Sequence, residues 1–525
     1  MENILNNKKM MIIPVILASL FTIYLGMNVN GPLSWDVYTH INYAWAYIIN
    51  GITMTDPLLN APVGKSIGYS PLFHLILIVS SKLFATDMVN AAKLLQPILA
   101  LLCSLSVVGV AYKIYDDELT ALLSGMILLS SFMFTRMMLP IPETVALIFF
   151  TWGVYFYYSS IKKHSYTRAL LSGIMALLIL SVHFSTFVYY MIIITCLMIV
   201  ELVAKMKFEA LSKYVTLIIP VILAGIIGYV ILSAISTNSL LVLLDGIKSI
   251  IHDPMSLFMG QKAMGLERYI KCVGILPLVL AIIGLYFSFK NSDKRLIVWW
   301  ALFSFIVSNM HWFGIPVYTY RLLVYFVIPL VMLAGYGAAE LVRKFEDKKT
   351  QYILVAVIMV LSCVLCIYHL SDPSVTTSNV VTAQSTVQIA PPTHDEQEVI
   401  DWFKGVNNTN KSVLTNNLFF GTVLSSSDMI PLHYSYDVYA NPQSSKSSYD
   451  RLNEENIGYI VYDKSLVMNN TTEYSGTPQI EFVEADYYPF YYYTKEITED
   501  NFYSIKLSAT NKVFENNRFI ICEVI

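Results

Sequence analysis

Seven side chains stand out because each sits in a polar loop or first turn beside a long apolar run. Asp36, in LSWDVYTHINYAW, follows the first apolar segment, and His40 comes four residues later. Glu143 lies in TRMMLPIPETVALIFF directly after Pro140 and Pro142, with Arg136 at the start of that stretch. Lys65 is the glycine-flanked cation of APVGKSIGYSPLFHLI, His183 lies in LSVHFSTF, and Arg321 lies in VYTYRLLVYF. A carboxylate in such a place can serve as a general base, and a guanidinium or ammonium can hold a phosphate. Charges near the hydrocarbon boundary are costly, so each asks for a reason. Structural reasons exist too. Asp36 can cap the helix that follows it, Glu143 suits the positive end of a helix dipole, Arg321 can snorkel to headgroups, and His183 can be a structural histidine in a tight turn. The residue types alone leave both accounts open.

The elements that position these groups are those of a membrane protein. The 525 residues are 56% hydrophobic and 14% charged, with a mean hydropathy of +0.57. A soluble enzyme rarely has this composition. The net charge is −3, but it is unevenly spread. Residues 1–370 carry 25 basic against 17 acidic side chains, and residues 371–525 carry 9 against 20. An acidic polar region behind a membrane part argues against nucleic acid as a partner. Five of the six cysteines lie in or at the start of apolar runs, so no disulfide framework is visible. The N-terminal stretch, with Lys8 and Lys9 before a spanning run, reads as a signal anchor.

Apolar runs of spanning length fall at about 10–28, 91–112, 119–135, 142–161, 169–183, 185–204, 214–236, 270–289, 294–310, 321–342 and 351–370. The run at 70–84 is shorter and carries His74 and Lys82. The basic clusters Lys8/Lys9, Lys162/Lys163/Arg168, Lys205/Lys207/Lys213, Lys290/Lys294/Arg295 and Arg343/Lys344/Lys348/Lys349 decide its role. All face the cytoplasm only if even numbers of spans separate them. That parity keeps 70–84 from crossing and gives eleven spans, with the N-terminus cytoplasmic and the C-terminal region extracytoplasmic. Asp36, His40, Lys65, Arg136, Glu143, His183 and Arg321 then all fall on the outer side. So do a loop at 31–90 with interfacial helices and a second long loop at 237–269.

Residues 371–390 read as a tether, and 391–525 as a small α/β domain outside the membrane. Its first helix is expected after Pro391–Pro392, with acidic first-turn residues and the stripe Val399, Ile400, Trp402, Phe403. Strands are expected in KSVLTNN, IGYIVYD, FVEADYYPFYYYTKEI and NRFIICEVI. Asn407, Asn410, Asn469 and Asn470 each begin an N-x-Ser/Thr sequon. Walker A, Rossmann, HExxH and nucleophile-elbow patterns are all missing. Two outer carboxylates and several outer cations remain. They suit a substrate with a lipid tail and a phosphate, and a reaction that needs a general base.

This layout resembles that of the GT-C membrane glycosyltransferases, the group of protein mannosyltransferases, aminoarabinose transferases and oligosaccharyltransferase catalytic subunits. The resemblance rests on Asp36 with VYTHINYAWAYII after the first span, on GKSIGYSPLFHLI before the next, and on Arg136 with Glu143 at the next outer loop. DEQEVIDWFKGVNN is similar to the start of the soluble domain of oligosaccharyltransferases. The resemblance implies a catalytic membrane domain over 1–370 and a polyprenyl- or dolichyl-phosphate-sugar donor. It implies a lipid, glycan or protein acceptor, and transfer with inversion. Asp36 and Glu143 become the catalytic acids. His40, Lys65, Arg136, His183 and Arg321 become substrate-binding groups. The chain departs from the family in two places. LTNNLFFGTVLSS stands where oligosaccharyltransferases carry WWDYG, and WDVYTH lacks an Asp-x-Asp pair. Metal dependence is thus open, with Mg or Mn as the divalent candidates. Two alternatives stand beside this reading. A surface-polysaccharide polymerase or ligase would depend on Arg321 or His183 rather than Asp36. A lipid-linked sugar flippase or transporter would want broken helices and charges at mid-membrane.

Overall fold

The computed structural model describes residues 7–51, 53–206, 208–235, 244–245, 248, 252, 266–290, 294–315, 317, 319–371, 391–406, 411–415, 417–433, 454, 456–463, 480–485, 488–493 and 510–524. The four sequon asparagines, the tether beyond residue 371 and most of the loop 237–269 lie outside the described residues. Contacts divide the chain into two compact units. One comprises Met1–Leu25, Tyr69–Phe73 and Leu94–Asp372, and the other Gly26–Gly68, His74–Lys93 and Pro373–Ile525.

Along the chain the helices are α1 (Ile12–Met27), α2 (Asp36–Asn50), α3 (Leu72–Phe84), α4 (Met88–Tyr115), α5 (Glu118–Leu129), α6 (Pro142–Lys162), α7 (Tyr166–Val182) and α8 (Phe184–Lys205). There follow α9 (Glu209–Ile235), α10 (Glu267–Val273), α11 (Ile275–Lys290), α12 (Arg295–Ser308), α13 (Thr319–Arg343), α14 (Lys348–Leu370), α15 (His394–Gly405) and α16 (Leu418–Asp428). Apolar runs form helices here because hydrocarbon offers no partner to a backbone N–H or C=O.

Among the described residues, seven helices are long and apolar enough to cross a membrane, and an eighth span results if a bent pair counts as one. The chain is therefore a multi-pass membrane protein. The count of eleven is not reached, for local reasons. The run at 119–135 bends by 88° between α5 and a 3-10 turn at Phe132–Met138. At the bend Ser130 and Ser131 turn their hydroxyls onto nearby backbone, Ser131 accepting from Met133 N–H. The run at 270–289 is broken at Gly274, whose φ of +99 only glycine takes readily. The resulting α11, with α7 and α12, has 14 to 17 residues, below the ~20 of an untilted span. The doubtful run at 70–84 forms α3, with 13 residues.

The first unit packs around α13, whose apolar window is wholly buried. Small residues let its neighbours approach. A Cβ on Gly337 would lie 2.4 Å from Leu280 O of α11, and one on Gly335 would lie 2.6 Å from Ser124 N of α5. Close backbone approach is how helices associate where lipid removes the hydrophobic drive.

In the second unit the C-terminal sheet runs in the order β4-β3-β5-β9-β8. Its strands are β3 (Ser412–Thr415), β4 (Leu432–His433), β5 (Ile457–Asp463), β8 (Thr510–Glu515) and β9 (Phe519–Val524). β3 is parallel to β4 and β5, while β9 runs antiparallel to β5 and β8. β6 (Ile480–Ala485) and β7 (Tyr488–Tyr493) pair with each other. The expected helix is α15, closed by a capping box between Thr393 and Glu396. The loop before α3 carries β1 (Thr55–Asp56) and β2 (Lys65–Ser66). It is tied to the sheet edge, for Leu432 N–H donates to Leu58 O at 2.7 Å and Ala61 N–H donates to Leu432 O at 2.9 Å. Helix α2 is tied to α16. Asn42 Nδ2 donates to Thr422 O at 3.3 Å, and Trp45 Nε1 donates to Ser426 O at 3.0 Å. Burial of α2 is accordingly wider than one apolar stripe and includes His40, Asn42, Tyr43 and Tyr47.

The glycine packing of α13 makes a test. Gly337→Ala is expected to destabilise by about 1–3 kcal/mol, although alanine is the better helix former. Gly225→Ala on α9, where a Cβ meets nothing within 4 Å, is expected to be neutral or stabilising. Thermal unfolding in detergent compares the two.

Candidate functional site

The sequence around Glu143 builds a polar cluster inside the first unit. The bend at Ser130–Ser131 turns the chain into the 3-10 segment that carries Arg136. Pro142 then opens α6 at a position where its missing N–H costs nothing. This places Glu143 in the first turn. Arg136 and Glu143 form an ion pair, their side chains 3% and 7% exposed. Burial this deep makes the pair intolerant of losing one member.

The other Glu143 oxygen, Oε1, accepts from Tyr325 Oη of α13 at 3.2 Å. Tyr325 Oη lies 2.5 Å from Thr186 Oγ1, and Thr186 Oγ1 lies 2.7 Å from His183 Nδ1. His183 ends α7 and holds the N-cap position of α8, and its ring stacks on Tyr69 at 6.5 Å. Arg321, in the first turn of α13, acts through its charge on Glu143 and on Tyr189, and the Tyr189 ring lies 5.3 Å from that of Tyr325. Four of the seven expected residues, Arg136, Glu143, His183 and Arg321, thus belong to one cluster. Sequence reading missed Tyr325 and Thr186. Helical spacing held a signal for both, since Tyr325 is four residues after Arg321 and Thr186 three after His183.

Asp36, His40 and Lys65 belong to the second unit. Asp36 does not cap α2. Trp35 holds the cap position without a side-chain bond, and the Asp36 N–H is itself held by Ser34 Oγ at 3.2 Å. The carboxylate therefore occupies the first turn, where the helix dipole favours its charge. Lys65 is exposed and feels the charges of Asp56 and Asp36.

His40 is buried against His74, with Nδ1 to Nε2 at 3.1 Å and the rings stacked at 5.4 Å. Tyr43 and Tyr47 set their edges to His74. Burial, with His40 beside it, pushes His74 down to about 2, so it is neutral at any physiological pH. Asp56 is the other group that sequence reading missed. It is fully buried, and Oδ1 accepts from Leu58 N–H at 2.9 Å and Leu59 N–H at 3.4 Å. Its Oδ2 has no hydrogen-bond partner. Burial raises the acid to about 6 against these opposing bonds.

Among the described residues one group of side chains is close enough to share a cation: His394, Asp395 and Glu398 on α15. These atoms already answer one another. His394 Nδ1 lies 3.4 Å from Glu398 Oε1, and Asn516 Nδ2 donates to Glu398 Oε2 at 3.0 Å. The group is not a built metal site.

No family model and no curated protein matches the sequence. Solved structures do match. ArnT from Cupriavidus metallidurans, bound to undecaprenyl phosphate, aligns over 97% of this chain and 97% of its own, with a TM-score of 0.60 and 10% identity. The archaeal oligosaccharyltransferase AglB from Archaeoglobus fulgidus, in complex with an inhibitory peptide and a dolichol-phosphate, aligns over 86% of this chain and 69% of its own, at 0.56 and 11%. Arabinofuranosyltransferase AftD from Mycobacteria aligns over 99% of this chain and 40% of its own, at 0.57 and 10%. At such identities the likeness is one of fold.

Two measurements probe these groups. Glu143→Gln leaves the Arg136 charge buried without its partner and is expected to cost about 3–5 kcal/mol. The double change Arg136→Met with Glu143→Leu should recover most of that loss in thermal unfolding. For Asp56, the folded value of about 6 lies above the ordinary 3.8. Its contribution to stability is then complete at acid pH and is lost as pH rises from about 4 through about 6. Asp56→Asn keeps the Oδ1 acceptor. It is expected to flatten that pH dependence and raise stability at neutral pH by about 2–3 kcal/mol.

Proposed function

We propose that this chain, a multi-pass membrane protein with the GT-C fold, transfers a sugar from a polyprenyl-phosphate-linked donor to an acceptor hydroxyl on the extracytoplasmic face. The observation that carries the reading is the cluster of Arg136, Glu143, His183 and Arg321, on a fold that three glycosyltransferase structures share. Two of those structures hold a polyprenyl-type phosphate, undecaprenyl phosphate in one and dolichol-phosphate in the other. The topology that goes with this reading counts α7, α11, α12 and the bent α5 pair as spans. The total is then eleven, with the N-terminus cytoplasmic and the C-terminal domain extracytoplasmic.

In the proposed reaction Asp36 takes the proton of the acceptor hydroxyl as general base. The acceptor oxygen attacks the anomeric carbon while the bond from that carbon to the phosphate oxygen breaks. The electron pair leaves with the polyprenyl phosphate, and the anomeric centre inverts. Arg136 spends its charge on Glu143, so the growing negative charge on the phosphate is assigned to Arg321 and Lys65. Glu143 serves as the second acid by holding Arg136 and Tyr325 in place. His40, paired with His74, supports the helix of the base from within its own unit. No step is routed through a metal: the one described group close enough to share a cation, His394, Asp395 and Glu398, lies on α15, apart from the residues given roles here.

Purified protein incubated with a panel of polyprenyl-phosphate sugars is expected to release the lipid phosphate with at least one of them. Asp36→Asn should slow that release on the order of 10²–10⁴-fold while leaving membrane insertion and thermal unfolding unchanged. A fully active Asp36→Asn variant would remove Asp36 from the role, and no release from any donor would overturn the reaction class.

A further inference from the structure

We propose that Tyr325 and Thr186 set the tautomer of His183, holding its proton on Nδ1 so that Nε2 carries the lone pair. The use of that lone pair in catalysis rests on the function proposed above; the tautomer itself does not.

The argument is a count of protons along one chain of contacts. Glu143 is ion-paired with Arg136 in a buried place. Neutralising it would leave a buried guanidinium without its counter-charge, so the carboxylate stays ionised and can only accept. Tyr325 must then donate its single proton to Glu143 Oε1. With that proton spent, the 2.5 Å contact between Tyr325 Oη and Thr186 Oγ1 is a hydrogen bond only if Thr186 donates. Thr186 has one proton as well. The 2.7 Å contact with His183 Nδ1 then requires Nδ1–H to donate to Thr186 Oγ1. Each hydroxyl hands on the polarity imposed by the carboxylate.

One contact pulls the other way. The Thr186 backbone N–H points at His183 Nδ1 at 3.3 Å, and capping α8 through that contact would need the lone pair on Nδ1. A neutral imidazole cannot both donate and accept at one nitrogen. The hydroxyl contact is the shorter of the two, and it ends on a full negative charge, which strengthens every bond in the series. The series therefore wins over the cap. With Nδ1 committed, a neutral His183 has its lone pair on Nε2, the form of imidazole that can accept from a hydroxyl; a sugar acceptor presents such a group. Among the described residues, the charged, titratable and ring groups around this series include Arg136, Arg321, Glu143, Tyr189, Tyr69 and Phe150. Of these, Glu143 is the group hydrogen-bonded into the series.

The test needs no substrate. Protein labelled with ¹⁵N-histidine is examined by NMR in detergent at about pH 8, where an ordinary imidazole is neutral. The His183 signals are assigned by their loss in His183→Gln. The expected result is a protonated Nδ1 and an unprotonated Nε2 in the parent protein. Tyr325→Phe and Thr186→Val should each shift His183 to the Nε2–H form, while Thr186→Ser should retain the parent pattern. If Tyr325→Phe does not fold, the near-isosteric Thr186→Val carries the comparison. An Nε2–H form in the parent protein, or an Nδ1–H form that survives in Thr186→Val, would overturn the proposal. Neither outcome depends on whether sugar transfer is found. A failed transferase assay with the expected tautomer would reject the proposed function alone.

Discussion

A guanidinium and a carboxylate taken out of water must find each other and must have their remaining hydrogen-bonding positions met. The Arg136–Glu143 pair imposes that demand on the first unit. A straight helix through 118–162 would carry the two residues along its axis and leave both to the hydrocarbon. The bend at Ser130–Ser131, the 3-10 segment and the restart at Pro142 fold the pair back on itself. The second carboxylate oxygen then needs a donor, and α13 supplies Tyr325. For Tyr325 to reach Glu143, α13 must pass close to its neighbours. Gly335 and Gly337 are the residues that let it do so. A polar requirement at one point and a backbone clearance at another are thus two parts of one packing solution.

The second unit solves a different problem. A loop that leaves a membrane span has backbone groups to satisfy and few apolar residues to fold around. This loop takes part of what it needs from the C-terminal region. Leu58 O and Ala61 N–H are met by Leu432 on the edge strand β4, which also covers an edge that would otherwise be open to another chain. Asn42 and Trp45 of α2 are met by carbonyls of α16. The acidic residue that opens α2 is consequently held by a helix fixed to residues nearly 400 positions away in sequence. A division at the end of the last apolar run would separate elements that share these bonds.

What could be read in the sequence follows the range of the interactions. Apolar runs, first-turn acids and the capping of α15 are local, and their residues announce them. The apolar runs do not announce their own interruptions: Ser130–Ser131 and Gly274 divide two of them, and length and composition then give seven or eight spans among the described residues. The surroundings of α2 are set at long range: Asn42 and His40 are turned toward partners on α16 and α3, and no local pattern marks those partners.

The site shows the same limit more sharply. Arg136 and Glu143 are seven residues apart, and a buried acid beside a base is visible as a pair in the sequence. Tyr325 lies 182 residues from Glu143 and 139 from Thr186. A tyrosine and a threonine in apolar runs are ordinary residues by type, and nothing in their spacing from Glu143 marks them. Their importance arises only from contact. Each has a single proton to give, so in series they transmit the state of a carboxylate to an imidazole with no freedom left over. A charged residue declares its cost in the sequence because burial is expensive for it anywhere. A hydroxyl is cheap to bury once bonded, and its direction of donation is set by whatever lies at the end of the series. The ion pair is therefore the informative element; the hydroxyls have only their helical spacing from Arg321 and His183 to mark them, and their role becomes legible once the fold shows which end of the series the pair occupies.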